Sequence, residues 1–309
     1  MTEDLTYTGG VGAPQTHVER GRVRTFLSLV VFEHSVFALP FAYIAALSAM
    51  WTQTRSVHWV QLALITVAMV SARTVAMGAN RILDRRFDAL NPRTAGRELV
   101  TGAMTVRAAG LGTLAALVVF LASAAALSWL CLALAPVAIA LLVLYSYGKR
   151  FTDFPQVLLA LAQFVAPVGA WIAVTGSAPA AAVALGVAVG TWIGGFDLIY
   201  SCQDVAVDRR VGTRSVPARF GVQAALGASA VVHVGTFAAF AWFGYAAGLG
   251  WLWGVGLTVT AAVLLYEHLI VRPGDLSRVN RAFFTANGVI GIVLFAFALA
   301  DLVRLGLTA

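Results

Sequence analysis

The chain has 309 residues, of which 60% are hydrophobic and only 11% charged, and it carries a net charge of +7. A soluble domain usually has about 25% charged residues, so this surface cannot be one that faces water throughout. That composition excludes an ordinary soluble enzyme and predicts an all-α membrane protein, because helices satisfy their own backbone hydrogen bonds in lipid.

Nine apolar segments follow one another at about 28–50, 59–80, 106–127, 129–147, 156–175, 179–203, 221–246, 248–270 and 282–303. They predict about nine transmembrane helices in one bundle with a central cavity. Ahead of them lies MTEDLTYTGGVGAPQTHVERGR, which lacks the apolar core of a cleavable signal. Residues 1–26 are therefore expected to form a cytoplasmic N-terminal tail, and 27–309 a single transmembrane domain.

The first apolar segment contains Glu33 and His34, and the second contains Arg73. After the second comes an arginine-rich stretch with Arg81, Arg85, Arg86, Arg93, Arg97 and Arg107. Lys149 and Arg150 follow the fourth segment; Arg209, Arg210, Arg214 and Arg219 follow the sixth; Arg272, Arg278 and Arg281 follow the eighth. Basic residues thus recur on alternate connections, which by the positive-inside rule puts the N-terminus and these loops in the cytoplasm. The basic balance reflects topology in a cell membrane and needs no nucleic acid. Cys131 and Cys202 lie in or beside apolar segments without zinc-binding spacing, and read as packing residues.

Two acidic constellations stand out. In NRILDRRFDALNPRT, Asn80, Asp84 and Asp88 recur every four residues and share one helical face. Like charges at that spacing destabilise a helix unless something binds between them, and a hard oxygen site suits Mg2+. In DLIYSCQDVAVDRRVGTRS, Asp204 and Asp208 repeat the spacing, while Asp197 lies seven residues before Asp204 on the face of one continuous helix. A carboxylate inside an apolar helix costs about 2.5–3.5 kcal/mol on insertion scales, so Asp197 needs a partner. Each segment alone also fits a solvated charged loop or a helix-to-helix ion pair. Asp84 and Asp204 are 120 residues apart, as are Asp88 and Asp208, which hints at two similar helical halves.

Together these segments resemble the UbiA superfamily, whose signatures have the form NxxxDxxxD and DxxxD. The match is Asn80, Asp84 and Asp88 followed by Asn91, Pro92, Arg93 and Thr94, then Asp204 and Asp208 followed by Gly212. YSYGKRFTDF at 145–154 and the helix pattern extend it across most of the chain. The passages FEHSVFALPFA, NPRTAGREL, APVGAWIAVTGS and DLSRVNRAFFTANG are closest to the 4-hydroxybenzoate polyprenyltransferase-like branch. Part of that branch is associated with prenylation of 1,4-dihydroxy-6-naphthoate in menaquinone formation.

The resemblance implies an aromatic prenyltransferase, a transferase of alkyl groups other than methyl, that joins a prenyl diphosphate to an aromatic acid acceptor within the lipid bilayer during quinone biosynthesis. It implies Mg2+ held by Asn80, Asp84, Asp88, Asp204 and Asp208, with these four aspartates and Asp197 catalytic. Arg93, Arg97 and Lys149 are expected on the diphosphate, and Arg73, Asn80 and Tyr200 among the substrate-binding residues. For Arg73 an acceptor carboxylate competes with an internal ion pair to Asp197 or Glu33. Asp197 either orients or deprotonates the acceptor phenol, or holds Arg73 or a water. Glu33, His34, Asn280 and Asn287, with Tyr145 and Tyr147, are candidates for the cavity lining. The alternatives are another UbiA-type prenyl transfer, including transfer to haem or chlorophyll precursors, and a membrane transporter using Arg73 and Asp197. Paired acidic motifs at one face weigh against the transporter.

Overall fold

The structure is a computed structural model that describes residues 22–29, 39–282 and 287–309. Most of the expected tail, together with Glu33 and His34, lies outside the described residues. In chain order the helices are α1 (Arg22–Leu29), α2 (Leu39–Gln53), α3 (Trp59–Asp88), α4 (Glu98–Thr101) and α5 (Val106–Leu127). Next come α6 (Trp129–Phe151), α7 (Pro155–Thr175), α8 (Ala180–Ser201), α9 (Val205–Val211), α10 (Val216–Phe220) and α11 (Val222–Ala246). The last three are α12 (Trp251–Ile270), α13 (Val279–Arg281) and α14 (Asn287–Arg304).

Among the described residues there is no strand, and eight helical segments are long and apolar enough to cross a membrane. They are α3, α5, α6, α7, α8 with its continuation through α9, α11, α12 and α14. The ninth expected segment is represented by α2, whose described part is 15 residues long and packs beside α7 and α14. The protein is a multi-pass helical membrane bundle.

Local sequence explains where the helices stop. Ser128 ends α5 and starts α6, its Oγ accepting from the backbone N–H of Cys131 at 3.1 Å. Pro155 opens α7, where the missing N–H costs nothing, and Gly176 closes it at φ 71°. Apolar residues such as Leu111, Leu114 and Val118 on α5, and Val231 and Val234 on α11, are exposed outward and suit contact with lipid tails.

In lipid, apolar side chains gain little by leaving one hydrocarbon for another, so helices associate where their backbones can approach closely. Helix α8 has Gly186, Gly190 and Gly194 at four-residue spacing along its contact with α7. A Cβ on Gly190 would come within 2.5 Å of the Ala160 carbonyl oxygen, and one on Gly194 within 3.2 Å of the Gln156 carbonyl oxygen. On its other side α8 meets α11, where Ser229 Oγ donates to the Gly195 carbonyl at 2.7 Å. Helix α8 is consequently the buried centre of the bundle, with Trp192 fully enclosed.

Overpacking a close helix contact costs about 1–3 kcal/mol. Gly190→Ala should therefore lower the thermal midpoint of the detergent-solubilised protein by several degrees. Gly254→Ala, which adds a carbon with nothing within 4 Å, should leave the midpoint level or raise it. Equal midpoints for the two variants would remove the α7–α8 approach as a source of stability.

Candidate active site

A cavity of about 730 Å³ is lined by α3, α5, α6, α7, α8 and α9, by the loop after α3 and by the first residue of α14. One end holds the charged residues of both acidic motifs, and the other is mostly apolar, with Ile65, Met69, Phe120 and Val168 in its wall. All of Arg73, Asn80, Asp84, Asp88, Arg93, Arg97, Lys149, Asp197, Tyr200, Asp204 and Asp208 border it.

The first motif occupies the last turns of α3. That helix continues past the expected end of the apolar run to Asp88, so Asn80, Asp84 and Asp88 all ride on regular helix. Asn80 Nδ2 donates to Asp84 Oδ2 at 3.2 Å and to Ser146 Oγ at 3.3 Å. Asp84 also receives Arg150 at 3.0 Å, and Asp88 pairs with Arg97 at 2.5 Å. The chain then turns back on itself. Thr94 Oγ1 donates to the Asp88 carbonyl at 2.9 Å, and Asn91 Oδ1 accepts from the Arg93 N–H at 2.9 Å. This turn swings Asn91 and Arg93 toward the second motif.

The second motif departs from the single continuous face expected. A 3-10 turn at Cys202–Asp204 separates α8 from α9 and tightens the chain just where Asp204 must face inward. Asp204 is gripped from across the cavity: Arg93 Nη2 reaches Oδ2 at 2.6 Å, and Arg93 Nε and Asn91 Nδ2 reach Oδ1 at 3.1 Å each. The same guanidinium lies 5.3 Å from the Tyr200 ring centre and donates to Tyr200 Oη at 3.3 Å. Burial opposes charge on Arg93, but the hydrogen bond to Asp204 and its negative charge outweigh that and lift its pKa above the ordinary guanidinium value. Asp208 is held by hydroxyls, with Thr213 Oγ1 donating to Oδ1 at 2.7 Å and Ser215 Oγ to Oδ2 at 2.8 Å.

Lys149 borders the same space without an ion pair among the described residues, near enough for its charge to act on Asp84, Asp197 and Asp204. Deeper in, Asp197 accepts from Gln156 Nε2 at 3.2 Å. Among the described residues Arg73 forms no ion pair, and its Nε is buried without a hydrogen-bond partner. Asp197 is thus not the partner of Arg73, which corrects one of the two expectations for that arginine. Glu33 lies outside the described residues and so is not compared.

Other lining expectations divide. Tyr145 and Asn287 border the cavity; Asn280 and Tyr147 do not. Tyr147 instead packs against the Arg150 guanidinium at 4.8 Å, opposite Phe87 at 5.2 Å. Arg150 was legible only as a basic residue in YGKRF, yet it holds Asp84 and the Leu83 carbonyl together. Asn91 and Gln156 were likewise not singled out for contacts; the Asx-turn chemistry of Asn before Pro signals the first, and nothing local signals the second. Cys131 and Cys202 are free thiols.

The charged end therefore offers hard oxygen donors and cations in one place, while the deep end offers apolar walls with isolated polar groups. Such a cavity can hold a polyanion at its mouth and an apolar chain or ring beyond it.

The profile of the UbiA prenyltransferase family matches residues 38–289. The chain is 36% identical over 248 residues to 4-hydroxybenzoate octaprenyltransferase from Aromatoleum aromaticum, covering 78% of this chain and 80% of that protein. In three dimensions it resembles the apo structure of a UbiA homolog from Aeropyrum pernix K1, at 33% identity and a TM-score of 0.79 over 87% of this chain and 98% of the other. A UbiA homolog from Archaeoglobus fulgidus bound to DMAPP and Mg2+ shares the fold at 21% identity and a TM-score of 0.66, over 90% of this chain and 99% of that one. The chain belongs to the UbiA prenyltransferase family.

Proposed function

We propose that the protein transfers a prenyl group from an isoprenoid diphosphate to an aromatic carboxylic acid, with Mg2+, in quinone biosynthesis. The observation that carries this reading is the convergence of both aspartate pairs, three arginines and a lysine at one end of an apolar cavity. The acceptor class follows the name of the Aromatoleum relative, and the donor and metal follow the Archaeoglobus structure with DMAPP and Mg2+. The positive-inside pattern supports a charged mouth at the cytoplasmic face of the cell membrane, with the N-terminus on the same side.

The residues present fit Mg2+. Among the described residues no three acidic, imidazole or thiol groups converge to hold an ion by themselves. Magnesium characteristically takes one or two carboxylates and fills its shell with water and substrate phosphate. Asp84 and Asp88 on one side, and Asp204 and Asp208 on the other, supply that kind of partial set, with Asn80 adding an amide oxygen. When bound, the metal supplies neutralisation of the diphosphate as its carbon–oxygen bond breaks.

The chain's own groups perform the rest. Arg93, Arg97 and Lys149 border the mouth; the two arginines are positioned to exchange a carboxylate for a phosphate oxygen, and Lys149 adds a cation without an ion pair among the described residues. Tyr200 lies under the Arg93 guanidinium and limits where that exchange can occur. The departing diphosphate takes the bonding electron pair, and the allylic carbon forms a bond to the electron-rich ring. Apolar walls keep water from competing for the allylic cation. The substituted ring carbon then loses its proton, for which Asp197, steadied by Gln156, is the nearest deep carboxylate. Arg73 receives the acceptor carboxylate through paired donors.

Removing Mg2+ with a chelator should abolish diphosphate release, and each of Asp84→Asn, Asp88→Asn, Asp204→Asn and Asp208→Asn should cut kcat about a hundredfold or more, about 2.7 kcal/mol in barrier. Membrane insertion should persist in all four. Full turnover in chelator, measured by released diphosphate, would sink the metal–diphosphate assignment.

Arg73→Met should weaken use of an aromatic acid by orders of magnitude, because losing one member of a buried charged contact costs about 2–5 kcal/mol. Prenyl diphosphate KM should move little. A neutral phenol should be a poor acceptor for the wild type and lose little further in the variant. Equal losses with acidic and neutral acceptors would assign Arg73 to a structural ion pair instead.

A further inference from the structure

A buried polar network behind the cavity wall is not used by the mechanism above. Asn287, at the start of α14, lines the cavity and is 1% exposed. Trp192 Nε1, on α8, donates to Asn287 Oδ1 at 2.9 Å. Asn287 Nδ2 donates to Glu267 Oε1 on α12 at 3.4 Å and to the Ala282 carbonyl at 3.2 Å. An indole N–H can only donate, and the Glu267 oxygen here accepts, so these two partners fix which way round the amide stands. Trp192 is itself held between Phe41 and Phe196, whose ring centres lie 5.0 and 5.4 Å away.

Glu267 is fully enclosed, and its Oε2 has no hydrogen-bond partner among the described residues. A carboxyl within an apolar helix is costly. Cohesion of the bundle does not call for it, since well-packed apolar side chains commonly replace buried charged groups without loss. Other contacts between α12 and α14 are of both kinds: Gly256 faces the Phe297 side chain, and Asp301 Oδ2 accepts from the Gly250 and Trp253 backbone N–H groups at the start of α12. What Glu267 adds is orientation of the one polar side chain of α14 that borders the cavity.

We propose that Glu267 is a positioning residue that, together with Trp192, sets the Asn287 amide in the cavity wall, and that Asn287 is the specificity-determining contact for the hydroxyl-bearing edge of the aromatic acid. This rests on the transferase reading and deepens it. Arg73 on α3 holds one substituent of the ring, and a single contact leaves the ring free to pivot about it. A second polar contact from a different helix fixes which ring carbon faces the allylic end, and such orientation carries much of the rate in a two-substrate reaction.

The test uses the full-length protein in lipid nanodiscs with Mg2+ and a prenyl diphosphate. It reads kcat and both KM values, and separately the calorimetric Kd of 4-hydroxybenzoate and of benzoate without the donor. Asn287→Leu should raise KM and Kd for 4-hydroxybenzoate about tenfold, the worth of one buried hydrogen bond. It should leave the donor KM within about threefold and benzoate binding within about twofold on the same scale. Glu267→Leu should act in the same direction, and Glu267→Gln, which keeps an acceptor oxygen for Asn287, should recover most of the loss. Asn287→Ala replaces the leucine variant if that protein does not fold.

Equal weakening of 4-hydroxybenzoate and benzoate in Asn287→Leu, or no weakening, overturns the contact. A Glu267→Gln variant as impaired as Glu267→Leu overturns the positioning role and makes the carboxyl itself the working group. Hydroxyl-dependent binding lost in Asn287→Leu, in a wild type that transfers no prenyl group, would support the contact while the transferase reading fails. Transfer by a wild type whose acid binding ignores the hydroxyl would do the reverse.

Discussion

The two-point pair between Arg93 and Asp204 is the interaction on which the mouth of the cavity depends. Its partners lie 111 residues apart, one on the turn after α3 and the other at the α8–α9 junction. Without countercharge, the aspartates of the two motifs would repel one another across a partly enclosed space, where charge interactions are stronger than in open water. Arg93 closes that gap, Arg97 and Arg150 neutralise Asp88 and Asp84, and backbone ties from Arg210 to Leu90 and from Arg214 to Phe151 strengthen the junction. The motifs are therefore assembled by cations that the protein carries itself. A guanidinium is also an apt partner for a phosphate, so the groups that hold the mouth together suit a polyanion as well.

The position of Asp204 in turn depends on α8. One helix supplies Trp192, Asp197, Tyr200 and Ser201 to the cavity and its supports, then hands Asp204 and Asp208 to the short turn and α9. Its glycine stripe lets α7 come close enough for Gln156 to meet Asp197. Bulk on that stripe would displace the helix that carries most of the second motif. Close approach of backbones thus fixes site geometry as well as bundle stability, a link that the apolar composition alone does not reveal.

Much of this was legible in the sequence, for definite reasons. Long apolar runs mark spans because lipid permits few other backbone solutions, and the four-residue acidic spacing marks a shared helical face. The interactions of single residues were less legible. Arg150 looked like one more basic residue beside the membrane, and only the convergence of α3 and α6 makes it a ligand of Asp84. The 3-10 turn at Cys202–Asp204 leaves no clear mark in SCQD, so Asp197 and Asp204 were expected on one continuous helix. Glu267 sits in VLLYEHLI, where local pattern cannot distinguish a helix end near water from a fully enclosed carboxyl. Its partner Asn287 lies 20 residues further on, across a helix–helix contact that pattern alone does not define.

Polarity falls along the cavity in a way that suits two unlike substrates. At the mouth, Asp84, Asp88 and Asp204 are paired with arginines, Asp208 is held by hydroxyls, and Lys149 has no ion pair among the described residues, so an incoming anion meets cations that are already gathered there. Deeper, an unpaired polar atom has no water to fall back on, and each such group there is a liability unless a ligand meets it. Arg73 is that case: a permanently charged side chain whose Nε is buried without a partner among the described residues, on the same face of α3 as Asn80. A carboxylate reaching this depth would relieve a cost already incurred in folding, whereas a neutral ring of the same size would leave it in place. On the proposed reading, the energetic need of this buried cation is what selects an aromatic acid, before any difference in ring shape is felt.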